Sequence, residues 1–310
     1  MVGSGPTRGR DARPMTGDTA TERSQPRDMA AIANAMTVDV EDYFQVSAFE
    51  PVIRRDDWDR HEWRVERNTE KILEMFARAG VHATFFMLGC VAQRYPQLTR
   101  RIVEQGHELA SHGYQHIRVT EQRPEEFRSD VVRTKKMLED IGGCPVNGYR
   151  AASYSIGASN LWALDVLHEC GHLYSSSIYP IRHDLYGMPN APRFAFRHNG
   201  NGLLEIPVTT VLLGGQKMPC GGGGYFRLFP YWLSQWALRR VNESDHESCV
   251  FYFHPWEIDA AQPRPSNLSL KTRFRHYLNL PRMEQRLNRL LQDFSWNRMD
   301  RVFQSRLRLA

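Results

Sequence analysis

From Met36 onward, short apolar runs alternate with amphipathic helical segments, and this alternation constrains the fold more than any other feature of the chain. "MTVDV" reads as a buried strand that ends in acids. A helix is expected at about 66–79, with Ile72, Leu73 and Phe76 on one face and Gly80 as its stop. "HATFFML" is the next strand, after which Pro96 opens a helix that Gly106 closes. "HELASH" runs from strand into loop, and residues 124–143 space Phe127, Val131, Thr134, Leu138 and Ile141 along one helical face. "VNGYR", "HLYSSS", "LLEIPV" and "CVFYFH" supply later strands, with a further helix from Pro230 to about Val241. Regular strand–helix alternation calls for a parallel sheet wrapped by helices. In such α/β folds the chemistry gathers at the carboxyl ends of the strands.

Polar residues occupy those ends repeatedly. Asp39, Glu41 and Asp42 follow the first strand, His112 and His116 the third, Arg150 the fourth and His254 the last. Residues four apart on a helix lie roughly 40° apart around its axis, and residues five apart roughly 140°. His112 and His116 can therefore reach one ion together, whereas His107 and His112 cannot. Two imidazoles and one carboxylate form an open catalytic metal set with positions left for water and substrate. A second carboxylate beside it could take a proton from water, and a histidine across the site could protonate a leaving group. An arginine at a strand end would lock the base carboxylate by a bidentate pair. Together these parts describe hydrolysis of an amide or ester.

Composition narrows the class. With 310 residues, 41% hydrophobic and 24% charged, the chain suits a single α/β barrel or two ordinary domains. Its five cysteines are odd in number and scattered, which indicates neither a disulfide framework nor a zinc ribbon. The net charge of +5 resides largely in basic ends, so no nucleic-acid partner is expected. No apolar run approaches the ~20 residues that span a bilayer, so no transmembrane segment is expected. Without a signal-like apolar start, the cytoplasm is the expected compartment. Residues 1–35 are polar and aperiodic and are expected to form a disordered leader. Residues 36–261 then form the catalytic domain, and 262–310 a helical extension packed on the barrel.

The stretches "TVDVEDYF", "SHGYQH", "YRAASYSI" and "YFHPWE", in this order, resemble the motifs of the NodB-homology polysaccharide deacetylases, carbohydrate esterase family 4. "VDVEDYFQVSAFE", "IYPIRHDLYGMPNAPRF" and "FYFHPWEID" further resemble the subgroup associated with exosortase (PEP-CTERM) exopolysaccharide clusters. The resemblance covers about Met36 to Arg301. It implies a distorted (β/α) barrel, a divalent metal that is commonly Zn2+, and removal of N-acetyl groups from amino sugars of an N-acetylated polysaccharide. It also implies a role in exopolysaccharide biosynthesis, with peripheral contact to membrane-bound polymer synthesis machinery.

Carried over by position, Asp39 resembles the catalytic base, His112 and His116 the metal histidines, His254 the general acid and Arg150 the residue that orients the base. For the third ligand Asp42 is preferred, with Glu41 as the alternative, because the aspartate is the family's residue type; the other acid would support a ligand histidine. Two departures stand out. Ala151, Ala152 and Ser153 replace a stretch that usually carries proline, and Ser175 stands where an aspartate often supports the arginine–base pair. Two rival readings follow: an amidohydrolase of this fold that acts without metal on a small cyclic amide, and a catalytically silent glycan-binding protein.

Other features have blander readings. His107 is expected to end a strand or face solvent. "CGGGGYF" lacks the Lys-Ser/Thr of a phosphate loop and is expected to be a flexible rim loop, with Tyr225 and Phe226 as candidates for sugar stacking. "RHDLYG", residues 182–187, is expected to line the cleft. Met283, Leu287, Leu290, Leu291 and Phe294 are expected to form one core-facing stripe after Pro281.

Overall fold

The apolar runs become strands with no exposed face. β1 (Asn34–Val40) is buried at all seven positions, as are β2 (Thr84–Met87), β3 (Glu108–Ser111) and β10 (Val250–Phe253) at all four of theirs. Strands covered on both sides read as continuous hydrophobic runs. Between these lie β4 (Gly148–Tyr149), β5 (Tyr174–Ser175), β6 (Phe196–Arg197), β7 (Leu204–Glu205) and the hairpin β8 (Thr210–Leu213) and β9 (Gln216–Pro219); β11 (Trp296–Asn297) follows. The helices are α1 (Val65–Ala79), α2 (Gly89–Arg94), α3 (Pro96–Glu104), α4 (Pro124–Gly142), α5 (Trp162–Glu169), α6 (Gly223–Leu228), α7 (Tyr231–Arg240), α8 (Leu270–Tyr277), α9 (Leu280–Asp293), α10 (Met299–Val302) and α11 (Gln304–Leu307). This computed structural model describes residues 32–184, 186–199 and 202–308, with Met1, Gly3 and Gly5 apart from them.

The main sheet runs β10-β1-β2-β3-β4-β5-β7-β6, with β11 also on β1. All its pairings are parallel except β6 with β7. The end strands β10 and β6 do not pair, so the expected barrel is a curled half-barrel. One apolar cluster fills the space between the sheet and helices α1, α3, α7 and α9, with Ile72, Phe85, Leu98, Leu238, Phe251 and Leu287 among its fully buried members.

The expected stripe on α9 is present: Met283, Leu287, Leu290 and Leu291 are buried, and Phe294 packs half-buried against the same cluster. The segment after Gln262 is more than a helical extension, however, because β11 adds a strand to β1. That pairing also moves the start of order. Asn34 pairs with Trp296, and its N–H donates to the Ser295 carbonyl at 2.9 Å, so the first strand begins two residues before Met36. A contact made 261 residues away leaves no local signal. The rest of the leader, residues 6–31, lies outside the described residues.

Candidate metal centre and cleft

Extended backbone places alternate side chains on one face, and at the carboxyl end of β1 this brings Thr37, Asp39 and Glu41 inward together. Arg150, which leaves β4, meets the first two. Its Nη1 donates to Thr37 Oγ1 at 2.7 Å and to Asp39 Oδ1 at 2.6 Å. Its Nε and Nη2 donate to the carbonyl (3.1 Å) and hydroxyl (3.0 Å) of Ser176, and its guanidinium lies 4.0 Å from the centre of the Phe86 ring. Arg150 is fully buried, so the Asp39 pair is strong and directional rather than a solvated surface contact.

Glu41, His112 and His116 each offer one ligand atom, and these atoms lie within 4.8 Å of one another. Asp42 does not join them. Its Oδ2 accepts the backbone N–H groups of Arg64 (2.6 Å) and Val65 (2.8 Å), so it caps the start of α1 on the far side of the strand. Burial raises the Asp42 carboxyl to about 6 despite these bonds. The preference for Asp42 over Glu41 is thereby corrected: alternation along the strand, rather than side-chain length, selects the inward carboxylate.

The two histidines converge, but not on a helix. Both follow β3, where Gly113 (φ 75°) and His116 (φ 53°) adopt left-handed backbone and fold the loop so that the rings lie 5.3 Å apart. A carbonyl can only accept, so the 2.8 Å contact between His112 Nδ1 and the Arg150 carbonyl places the proton on Nδ1 and leaves the Nε2 lone pair free. Burial and neighbouring His116 hold this ring's pKa near 4, against the pull of Asp39 and Glu41, and keep it neutral. Burial alone would raise Glu41, but the imidazoles of His116, His254 and His112 outweigh it and hold the carboxyl at about 2. Glu41 Oε2 and His116 Nδ1 are buried without a hydrogen-bond partner, although Oε2 lies 2.8 Å from His116 Nε2. Orphaned lone pairs around a closed donor set fit a divalent cation.

His254, at the end of β10, faces this set from the opposite side. Its Nε2 lies 3.5 Å from Glu41 Oε1 and 3.9 Å from Asp39 Oδ2, and its Nδ1 meets Glu257 Oε1 at 2.8 Å. Burial opposes the charged ring, but Glu41 and Glu257 outweigh burial and raise it to about 9. Glu257 is fully buried and is paired in turn with Arg227 at 2.7 Å. Sequence reasoning missed both residues. The three-residue spacing of His254 and Glu257 is that of a capping box, which the structure forms, and it was the available signal. Arg227, 30 residues away, had none.

These groups border a cavity of about 440 Å3 whose walls include Tyr154, Tyr186, Tyr252 and Trp256. His183, Asp184 and Tyr186 line it, as expected of the "RHDLYG" stretch, whose Leu185 lies outside the described residues. The glycine run at 221–224 is not a rim loop. It enters α6, and a side chain at Gly223 would collide with the Glu257 carboxylate. Phe226 is a core residue against Phe251, so it is unavailable for stacking, and Tyr225 is half-buried. His107 is also buried, at the start of β3, where its Nδ1 accepts the Ala83 N–H at 3.1 Å.

A half-barrel of parallel strands with a carboxylate–imidazole donor set at its mouth defines an α/β protein with a candidate metal centre. Residues 56–174 match the model described as "Polysaccharide deacetylase", and residues 176–304 match "Domain of unknown function (DUF3473)". Residues 56–174 thus form a polysaccharide deacetylase (NodB/CE4) domain, followed directly by the DUF3473 segment. The chain is 33% identical over 75 residues to a peptidoglycan-N-acetylglucosamine deacetylase of Bacillus cereus, covering 24% of this chain and 27% of that protein. It is 31% identical over 99 residues to a chitooligosaccharide deacetylase of a Bradyrhizobium strain, covering 32% and 43%. The matches thus span less than half the length of these relatives. A solved structure from Mycobacterium smegmatis, itself described only provisionally as a polysaccharide deacetylase, shares the fold with a TM-score of 0.58 at 18% identity, over 90% of this chain and 91% of that one.

The segment of unknown function is not a separate module. β10 pairs with β1, and His254, Glu257, Arg227 and the α8 wall of the cleft all lie within it.

Proposed function

We propose that this protein is a divalent-metal-dependent N-deacetylase that hydrolyses N-acetyl groups on amino sugars of a polysaccharide. One observation carries the reading: the Glu41–His112–His116 set, the arginine-held Asp39 and the glutamate-held His254 all open into one cavity. The names of the relatives agree with it. Two imidazoles and a carboxylate suit Zn2+. The ion, when bound, supplies Lewis acidity toward an amide carbonyl and toward water.

The chain's own residues divide the remaining work. Asp39, with Oδ1 occupied by Arg150, has Oδ2 directed toward His254, where it accepts a long 3.4 Å bond from the Tyr154 hydroxyl and keeps a lone pair for a proton from the attacking water. His254, protonated at neutral pH, donates from Nε2 to the departing nitrogen while Glu257 holds its other nitrogen. Water adds to the carbonyl carbon, the C–N bond breaks, and acetate and a free amine result. The aromatic wall gives sugar rings apolar faces to lie against. Within this reading the exosortase-type stretches of the sequence favour an exopolysaccharide as polymer and a synthesis complex at the membrane as partner. No helix among the described residues is long and apolar enough to cross a membrane.

Acetate release from N-acetylglucosamine oligomers tests the reading. Release by the zinc-loaded protein, lost on chelation and regained on reloading, is the expected result. Ligand binding without release would favour the silent glycan-binding alternative, and release that survives chelation the metal-independent one.

A further inference from the structure

Arg150 lacks the carboxylate that the fourth strand's neighbour was expected to bring, because position 175 is a serine. Asp39 already balances the buried guanidinium, and the remaining donors, Nε and Nη2, depend on the turn that leaves β5. The strand one place further along supplies the missing group. Glu205 on β7 pairs in register with Ser175 on β5, and it is fully buried.

The contacts of Glu205 converge on the arginine's support. Its Oε1 accepts the backbone N–H groups of Ser177 (2.9 Å) and Ile178 (2.8 Å). Those bonds fix the turn that leaves β5. From that turn, the Ser176 carbonyl and hydroxyl receive Arg150 Nε and Nη2. The Ser177 hydroxyl accepts the Ala151 N–H at 2.9 Å and the Ser175 hydroxyl at 2.8 Å. The loop after β4 is therefore pinned on both sides of Arg150. Glu205 Oε2 has no hydrogen-bond partner of its own. Burial raises the Glu205 carboxyl above the usual carboxylate range, against the pull of the Ser175 hydroxyl, the two backbone donors and the Arg150 charge. No part of the chemistry proposed above uses this carboxylate. It is also costly to bury, which argues for a role.

We infer that Glu205 is the positioning residue for the Arg150–Asp39 pair, taking over from the strand next door the task that an aspartate at position 175 would perform. It acts through the Ser175–Ser177 turn and touches no substrate. The inference rests on the deacetylase reading for its kinetic consequence, but its geometric content does not.

The test is a cycle of Glu205→Gln, Ser175→Asp and the double variant in the zinc-loaded full chain. Glutamine keeps an oxygen for the Ser177 and Ile178 amides, so Glu205→Gln should fold. It is expected to lower kcat about tenfold, the lower range for losing a group that orients a functional residue, with KM unchanged. Ser175→Asp alone sets two buried carboxylates side by side and should also lower kcat. The double variant returns a single carboxylate to the paired positions on β5 and β7 and should recover most of the activity. The Arg150 Nε–H resonance in a 15N spectrum provides a readout that needs no turnover: it should shift or broaden in Glu205→Gln and return in the double variant. If the wild-type protein releases no acetate while this resonance follows the cycle, the deacetylase reading fails and the positioning role stands. An unchanged kcat and resonance in Glu205→Gln would overturn the role. So would a lowered melting temperature with normal kcat per folded molecule, or a double variant no better than the single one.

Discussion

The two halves of the candidate site are built differently. Residues up to 174 deliver Asp39, Glu41, His112, His116 and Arg150 from the carboxyl ends of strands β1, β3 and β4, each within a short motif that carries its own chemistry. Residues from 176 onward deliver one obvious group, His254, and then a set of partners scattered along the sequence: Glu205, Arg227 and Glu257. On the proposed function, the first half holds the ion and the base, and the second holds His254 and its supports. A segment described only as a domain of unknown function thus completes the half-barrel and the cleft, and separating the two would remove His254 and leave β1 without β10.

The largest effect expected within the second half is at His254. His254→Ala should lose something like 10²–10⁴-fold in rate, the usual range for a general acid or base, while zinc content measured on the same preparation stays at the wild-type level. A metal-loaded, folded variant with undiminished acetate release would show that the chemistry belongs to the first half alone.

Glu257→Gln probes the support rather than the donor. It removes the charge that bridges Arg227 to His254 but keeps the shape, so a loss of roughly 10–100-fold is expected, with zinc content intact and His254 less readily protonated. A rate equal to wild type, measured across the pH profile, would reduce the Arg227–Glu257 pair to packing.

The smallest effect concerns the junction. His172 lies just before β5, with a 1% exposed ring, neither nitrogen partnered, and an edge-on contact with Tyr149 at 5.6 Å. Burial, with a smaller push from Lys135, lowers its pKa to about 3, against about 6.5 in an unfolded chain. The folded state therefore favours the neutral ring. The stability it contributes is complete above pH 6.5 and drains away as the pH falls toward 3, at up to about 1.4 kcal/mol per pH unit. His172→Phe should flatten the fall of the urea midpoint in that window, and an unchanged slope would remove His172 from the acid response.

The contrast between the halves also marks how far the sequence could be read. Strand and helix order, the parallel sheet and the polar residues at strand ends were legible because each is local: an apolar run, a stop glycine, a histidine pair. Three things were not. Asn34 belongs to β1 only because β11 returns to pair with it. Gly223 is small because Glu257 occupies the space a side chain would need. Glu205 sits inside an ordinary apolar strand and gains meaning only from the register that sets it opposite Ser175. The choice between Glu41 and Asp42 lay in between. Alternation along the strand was visible in the sequence, but a family habit of residue type pointed the other way.

That choice gives the most direct test of the account, which claims that Glu41, His112 and His116 hold the ion and that Asp42 is a helix cap. Zinc titration by calorimetry on Glu41→Gln and Asp42→Asn decides it. The expected result is binding weakened at least tenfold in Glu41→Gln, with near wild-type affinity in an Asp42→Asn protein destabilised by about 1 kcal/mol, the usual worth of a cap. Retention of zinc by Glu41→Gln together with its loss from Asp42→Asn would contradict the account.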